Sequence, residues 1–346
     1  MAIHELEGII LRLAAPGKGI LAADESQTTL GKRFAALHIE SSVENRRSYR
    51  ELLLTTPGIE AFISGVILHE ETLGQRNREG LLFPELLEEQ GILPGVKVDR
   101  GLIPLNTEEK MTEGLDGLAD RLVMYKNLGA CFAKWRAVFT ISDTLPSPLA
   151  QVSNAQALAR YASICQDHGI VPVVEPELLM DGSHSLARCA KVTESTLYTV
   201  FEELHKHQIL LKCIILKPSM VITGSHHSPQ ASVDEVAEAT LAVLRRTVPV
   251  DVPSINFLSG GQTPELSTAH LNAINKPQHA HQPWLLSFSY GRALQEPALK
   301  IWNGKTHNVK AAQRALYKRA KLNAMACEGK YQINMEAKDK EAEPVF

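Results

Sequence analysis

IVPVVEPELL, residues 170–179, holds five apolar positions in succession and then admits Glu175 and Glu177 on either side of Pro176. A half-exposed strand alternates apolar and polar residues. An unbroken, β-branched run instead marks a strand covered on both faces, as in a parallel sheet wrapped by helices. Seven further runs share this design: GILAAD from Gly19, FISGVIL from Phe62, ILPGVKVD from Ile92, CFAKWRAVF from Cys131, CIILKPSM from Cys213, SINFLSGG from Ser254 and WLLSFSYGR from Trp284. Their starts recur about every 38 residues, room for a strand, a helix and two connections. Eight such units predict an α/β fold, a (β/α)8 TIM barrel, with a doubly wound open sheet as the alternative.

The intervals read as helical. Ser153 and Asn154 precede Ala155, Leu158, Ala162 and Cys165, a stripe that stops at Gly169. Ser232 and Glu235 form a capping box ahead of Val236, Ala239, Thr240, Val243 and Leu244, and Thr263 caps a helix with Pro264 in its first turn. Near the N-terminus, Ile3, Leu6, Ile10 and Leu13 fall at helical spacing, and Glu5 and Glu7 stand where a signal segment needs positive charge. No Pro-, Gly- or Ser-rich linker divides the chain. We therefore expect a single barrel domain over residues 1–335 and a charged, mobile tail over residues 336–346.

Composition agrees with one large aliphatic core. The chain has 346 residues, 44% hydrophobic, 22% charged and 5% aromatic, and a net charge of −3. That balance offers no global field for nucleic acid or an anionic membrane, so any polyanion site must be local. No stretch approaches the roughly 18 uncharged apolar residues of a membrane span. The five cysteines form no CxxC pair, which predicts reduced thiols in a cytoplasmic protein.

Charges that interrupt buried strands need a partner or a task. Asp24 ends the first run, Lys97 and Asp99 lie in the third, Lys134 and Arg136 in the fourth, Glu175 and Glu177 in the fifth, Lys217 in the sixth, and Arg292 ends the eighth. In a barrel these ends converge on the C-terminal face, where catalytic residues sit. Lys217 follows Ile214, Ile215 and Leu216. Burial and a neighbouring cation such as Lys134 favour its neutral amine, which attacks carbonyls; the alternative is a lysine that merely neutralises Glu175 or Glu177. Glu175 and Glu177 share one side of their strand, and mutual repulsion predicts a raised pKa for one of them, suited to proton transfer, unless both pair with lysines.

Ser259, Gly260 and Gly261 after the seventh run, with Ser289, Gly291 and Arg292 at the end of the eighth, fit the recurrent phosphate site of barrels: bare backbone N–H groups, a helix N-terminus and a guanidinium fork. Residues 24–33, with Ser26, Thr29 and Arg33, read either as a second phosphate cradle reached by Lys97 or as a capped helix with a solvated basic turn. His184, His226 and His227 lie in polar, turn-like segments without metal-ligand spacing, so no metal site is expected.

The motifs GKGILAADES from Gly17, GVKVDRGLIPL from Gly95, FAKWR from Phe132, IVPVVEPELLMDGSH from Ile170, LKPSMV from Leu216, INFLSGGQ from Ile255 and SFSYGRALQ from Ser287 resemble, in order, those of the class I (Schiff-base) fructose-bisphosphate aldolases. The resemblance runs from about Glu5 to Tyr331. It implies a metal-independent, cofactor-free lyase, usually a homotetramer, that reversibly cleaves fructose 1,6-bisphosphate to dihydroxyacetone phosphate and glyceraldehyde 3-phosphate in glycolysis and gluconeogenesis.

By the same resemblance, Lys217 forms the Schiff base at the C2 ketone, and Glu175 forms and dehydrates the carbinolamine with Glu177 in support. Asp24 accepts the C4 hydroxyl proton, and Lys134 holds substrate hydroxyls. Ser259, Gly260, Gly261, Ser289, Gly291 and Arg292 match the C1-phosphate pocket; Ser26, Thr29, Arg33 and Lys97 match the other phosphate site. Arg136 is counted with the substrate-binding residues. The alternatives are a Schiff-base aldolase for another phosphorylated ketose, sedoheptulose 1,7-bisphosphate or fructose 1-phosphate, and a silent scaffold. One departure stands out: the sequence finishes in Phe346 where many members carry a tyrosine that helps protonate the enamine, which predicts slower protonation here.

Overall fold

The structure is a computed structural model that describes residues 2–279 and 281–337. Of the tail expected over residues 336–346, residues 338–346, Phe346 included, lie outside the described residues.

Among the described residues ten strands follow one another: β1 Gly19–Ala23, β2 Ile63–Leu68, β3 Leu93–Lys97, β4 Gly101–Pro104, β5 Lys110–Glu113, β6 Phe132–Phe139, β7 Val171–Leu178, β8 Ile215–Leu216, β9 Ser254–Phe257 and β10 Leu285–Tyr290. Eight close into a parallel barrel in the order β1-β10-β9-β8-β7-β6-β3-β2, and these eight are the predicted runs. The barrel, not the open sheet, is the fold. Register sets the charges in one layer: Lys97 pairs with Lys134 across β3 and β6, Arg136 with Glu175 across β6 and β7, and the Lys217 N–H donates to the Val174 carbonyl at 2.8 Å.

The N-terminal half of the barrel is filled by large side chains facing small ones. A Cβ on Gly95 would lie 2.4 Å from the Phe132 ring, and one on Gly19 would lie 2.5 Å from Phe288, so these strands need glycine where the rings cross. The helix Ala2–Leu13 plugs this end, packing Leu6, Ile9, Ile10 and Leu13 on Ile20, Ile67, Leu93, Phe132 and Val173. Ile3, expected on that stripe, is exposed; Ile9 takes its place.

Local sequence was misread in two intervals. The helix expected to start at Ser153 and Asn154 is Pro148–Asp167, capped by Ser147, whose Oγ accepts from the Ala150 N–H. Proline at the first position fits a helix start, so the true signal was Ser147-Pro148. Asn154 is interior and buried, and its amide donates to the Lys110 and Ala150 carbonyls. The interval after β3 is not simply helical: β4 and β5 form an antiparallel hairpin, turned where Asn106 Oδ1 accepts from the Glu108 and Glu109 N–H groups. The capping box of Ser232 and Glu235, the Thr263 cap and the left-handed Gly169 are present as predicted.

None of the five cysteines is disulfide-bonded. Glu336 sits within a 3-10 turn, Ile333–Glu336, ion-paired to buried Arg319 at 2.6 Å and accepting the Tyr331 hydroxyl hydrogen at 2.9 Å, so the chain is held at least that far. Among the described residues no helix is long and apolar enough to cross a membrane.

Candidate active site

A cavity of about 830 Å³ opens at the C-terminal ends of the strands, and all sixteen residues singled out from the sequence line it. At its floor four buried charges alternate in sign. Lys134 Nζ stands 2.8 Å from Asp24 Oδ2 and 3.1 Å from Glu175 Oε2, and Lys217 Nζ stands 3.0 Å from Glu175 Oε1. Each charge is delivered by a different strand end, so the cluster exists only once the barrel closes.

Burial disfavours the charges of Asp24, Lys134 and Glu175, and attraction from their neighbours outweighs it. Lys134 is held above the ordinary lysine value by Asp24, Glu175 and Asp99 against the pull of burial. Asp24 is held well below the carboxylate range, burial again opposing, by Lys134, Lys217 and Lys97. At Glu175 the expectation of a raised carboxyl is corrected here. Burial would raise Glu175, but Lys134, Lys217 and Arg136 bring it below its usual value. Glu177 does not oppose it as a free anion, because it is engaged by Arg136 Nε. The sequence showed two neighbouring acids; the fold adds three cations from other strands.

One wall carries a bare anion cradle. Gly260 and Gly261 adopt positive φ of 54° and 94°, and a Cβ on Gly261 would meet Met180 Sδ at 2.6 Å and an Arg292 guanidinium nitrogen at 3.1 Å. Ser259 is buried beside them. Ser289 Oγ is also buried and, among the described residues, has no hydrogen-bond partner. Gly291 caps the helix Arg292–Trp302, so Arg292 and a helix N-terminus point at the same space. An orphaned hydroxyl, open backbone and a guanidinium together suit a phosphate.

The opposite wall is already paired. Ser26 caps the helix Gln27–Ala35 and its Oγ donates to Thr29 Oγ1 at 3.1 Å. Arg33 binds Glu25 Oε1 at 2.6 Å, and Lys97 binds Asp99 Oδ1 at 2.6 Å. Thus the capped helix of the second reading is present, and of its cations Arg33 lines the cavity. A phosphate here would share Arg33 and Lys97 with carboxylates.

Several lining residues escaped the sequence reading. Glu25 is buried between Arg33 and Arg50, at 2.6 and 2.7 Å, which hold its carboxyl below its usual value against burial. Arg50 lies in VENRRSYRELLL, the helix Val43–Leu54, where nothing separates it from solvated arginines except its place beside Tyr49 and Leu53. His69 and Leu102 also line the cavity, the latter from the unforeseen hairpin. The histidines gather no metal set: His227 Nδ1 bonds the Ser183 carbonyl, His184 is buried apart from the cavity, and among the described residues no group of three His, Cys, Asp or Glu could hold a metal ion.

The chain is similar to known proteins over nearly its whole length. The family model for fructose-bisphosphate aldolase class-I, glycolytic, matches residues 5–346. A probable fructose-bisphosphate aldolase class 1 from Xanthomonas axonopodis pv. citri is 52% identical over 334 residues, covering 96% of this chain and 99% of that one. The cytoplasmic isozyme of spinach fructose-bisphosphate aldolase is 51% identical over 322 residues, covering 92% and 90%. Among solved structures, a Plasmodium falciparum fructose-bisphosphate aldolase in ternary complex with TRAP and a small-molecule inhibitor superposes with a TM-score of 0.93 at 47% identity, covering 96% of each chain.

Proposed function

The chain belongs to the class I fructose-bisphosphate aldolases, lyases that cleave fructose 1,6-bisphosphate reversibly to dihydroxyacetone phosphate and glyceraldehyde 3-phosphate through a lysine Schiff base, and from that premise we propose that Lys217 is that lysine. The observation that carries the assignment is the 3.0 Å contact between Lys217 Nζ and Glu175 Oε1 on the cavity floor.

Lys217 hands a proton to Glu175 and attacks the C2 ketone as a neutral amine. Glu175 returns the proton to the carbinolamine hydroxyl, which leaves as water and creates the C2 iminium. The transfer moves a proton within a set whose formal charges cancel, so no net charge is buried or expelled. Glu177 supports this step by fixing Arg136 against the same strand pair.

Asp24, ionised throughout the working range, accepts the C4 hydroxyl proton as the C3–C4 bond breaks and its electron pair flows into the iminium. Its depressed pKa makes it a weak base, and the forming C4 carbonyl compensates by acidifying that hydroxyl. Lys134 sits between the two carboxylates and offers its remaining hydrogens to substrate hydroxyls. Ser259, Gly260, Gly261, Ser289, Gly291 and Arg292 receive the C1 phosphate; Ser26, Thr29, Arg33, Lys97 and Arg136 receive the distal end.

The class I family is of the metal-independent type, so no metal or organic cofactor enters the scheme. A cytoplasmic location is supported by the cytoplasmic spinach relative, and a homotetramer by the family resemblance; sedimentation tests the latter. Coupled assay of fructose 1,6-bisphosphate cleavage tests the assignment. Lys217→Met should lose at least about 10³-fold in kcat with its fold intact, and a variant that keeps wild-type turnover removes Lys217 from the chemistry.

A further inference from the structure

We infer that His270 is a positioning residue for the phosphate turn: from the helix Pro264–Ile274 it grips Gln262 and through it holds residues 259–262 in the shape that receives the C1 phosphate. The inference rests on the reading of that turn as the phosphate site, and it concerns two residues to which the chemistry above gives no role.

Gln262 is the junction. Its N–H donates to the Ser259 carbonyl at 2.9 Å, closing the turn that contains the two positive-φ glycines. Its side-chain Nε2 faces Met220 Sδ at 3.9 Å, in the segment that follows Lys217. Its Oε1 therefore faces His270 and accepts from Nδ1 at 2.5 Å. The turn is tied to the same segment a second time, where the Leu258 N–H donates to the Pro218 carbonyl at 3.1 Å. One amide side chain thus joins the phosphate turn, the Schiff-base segment and the helix behind them.

His270 and Gln262 are both buried. Among the described residues His270 Nε2 has no partner, and the imidazole does not line the cavity, so this ring neither touches substrate nor satisfies itself. An apolar residue would fill its place without leaving an unpaired nitrogen. What an apolar residue cannot do is hold Gln262 Oε1, and a released amide would free the turn to relax away from Arg292. Second contacts of this kind fix the geometry of the groups that do touch a ligand.

The test is steady-state kinetics on the full-length enzyme, with inorganic phosphate as competitive inhibitor. His270→Leu should raise KM for fructose 1,6-bisphosphate and the inhibition constant of phosphate together, by about tenfold, with kcat changed by less than about twofold. His270→Asn, whose amide nitrogen falls where Nδ1 stands, should restore both to within about twofold. If His270→Leu does not fold, Gln262→Met severs the same bond from the other side and should show the same joint rise. Wild-type KM and phosphate inhibition in these variants, or equal damage in His270→Asn, would overturn the inference. Arg292→Ala separates the two layers: a rise there with none in His270→Leu sinks the positioning role alone, and no rise in either sinks the phosphate reading beneath it.

Discussion

Lys217 Nζ and Glu175 Oε1 stand 3.0 Å apart on adjacent strand ends, both buried, and Glu175 Oε2 shares Lys134 with Asp24. The two acids are therefore divided in labour by geometry: Glu175 reaches the nucleophile and Asp24 does not bond to it. Glu175→Gln should slow Schiff-base formation with dihydroxyacetone phosphate by about 10²-fold or more, whereas Asp24→Asn should leave that step near wild type and lose a similar factor in C–C cleavage. Rapid-quench measurement of adduct formation beside single-turnover cleavage checks the division. Equal effects of both variants on adduct formation would refute it.

Removing the shared cation is expected to be costly. Lys134→Met leaves Asp24 without its nearest partner in a buried site, and we expect a loss of about 3 kcal/mol in urea unfolding together with at least a 10²-fold fall in kcat. Adding Asp24→Asn should recover part of the stability and none of the activity, because it removes the stranded charge but not the need for the cation. A double variant no more stable than Lys134→Met contradicts this account of the cluster.

Most of the barrel was legible because its strands are short, largely buried and in six of the eight runs marked by a charge, which makes them conspicuous. Even β8, where only Ile215 and Leu216 pair, was visible through Lys217 and Pro218. The hairpin of β4 and β5 was not, since Leu102 and Ile103 give too little alternation to separate it from a loop. Residue identity in the site was equally readable, but its electrostatics were not. The lowering of Glu175 depends on cations brought from β6 and β8, and the prior engagement of Arg33 and Lys97 depends on Glu25 and Asp99. His270 reads in sequence as one more polar helix position; only its burial against Gln262 distinguishes it.

Among the described residues Ser289 Oγ is buried without a partner, a cost that a phosphate would remove. Ser289→Ala should raise KM for fructose 1,6-bisphosphate by about three- to tenfold while leaving the unliganded enzyme equally or more stable, by about 0–1 kcal/mol. Opposite movement of affinity and thermal midpoint is the signature. A destabilised apoenzyme with unchanged KM would assign this hydroxyl to the core instead.

Burial pushes His270 down to about 4, whereas a histidine in the unfolded chain titrates near 6.5. Between those values the unfolded chain binds a proton that the folded one refuses, so stability falls as pH falls from about 6.5 to 4. His270→Asn lacks this group. The stability of wild type minus that of the variant should therefore drop by about 3 kcal/mol from pH 7 to pH 4 in urea titrations. A difference that stays flat across that interval would mean that the imidazole protonates freely in the folded protein.

The most direct test of the central claim is borohydride reduction in the presence of dihydroxyacetone phosphate, followed by peptide mapping of the intact enzyme. We expect one covalent adduct per chain, on Lys217, with parallel loss of activity and no adduct in Lys217→Met. An adduct on Lys134, or full inactivation by a chelator with no adduct anywhere, would contradict the Schiff-base assignment.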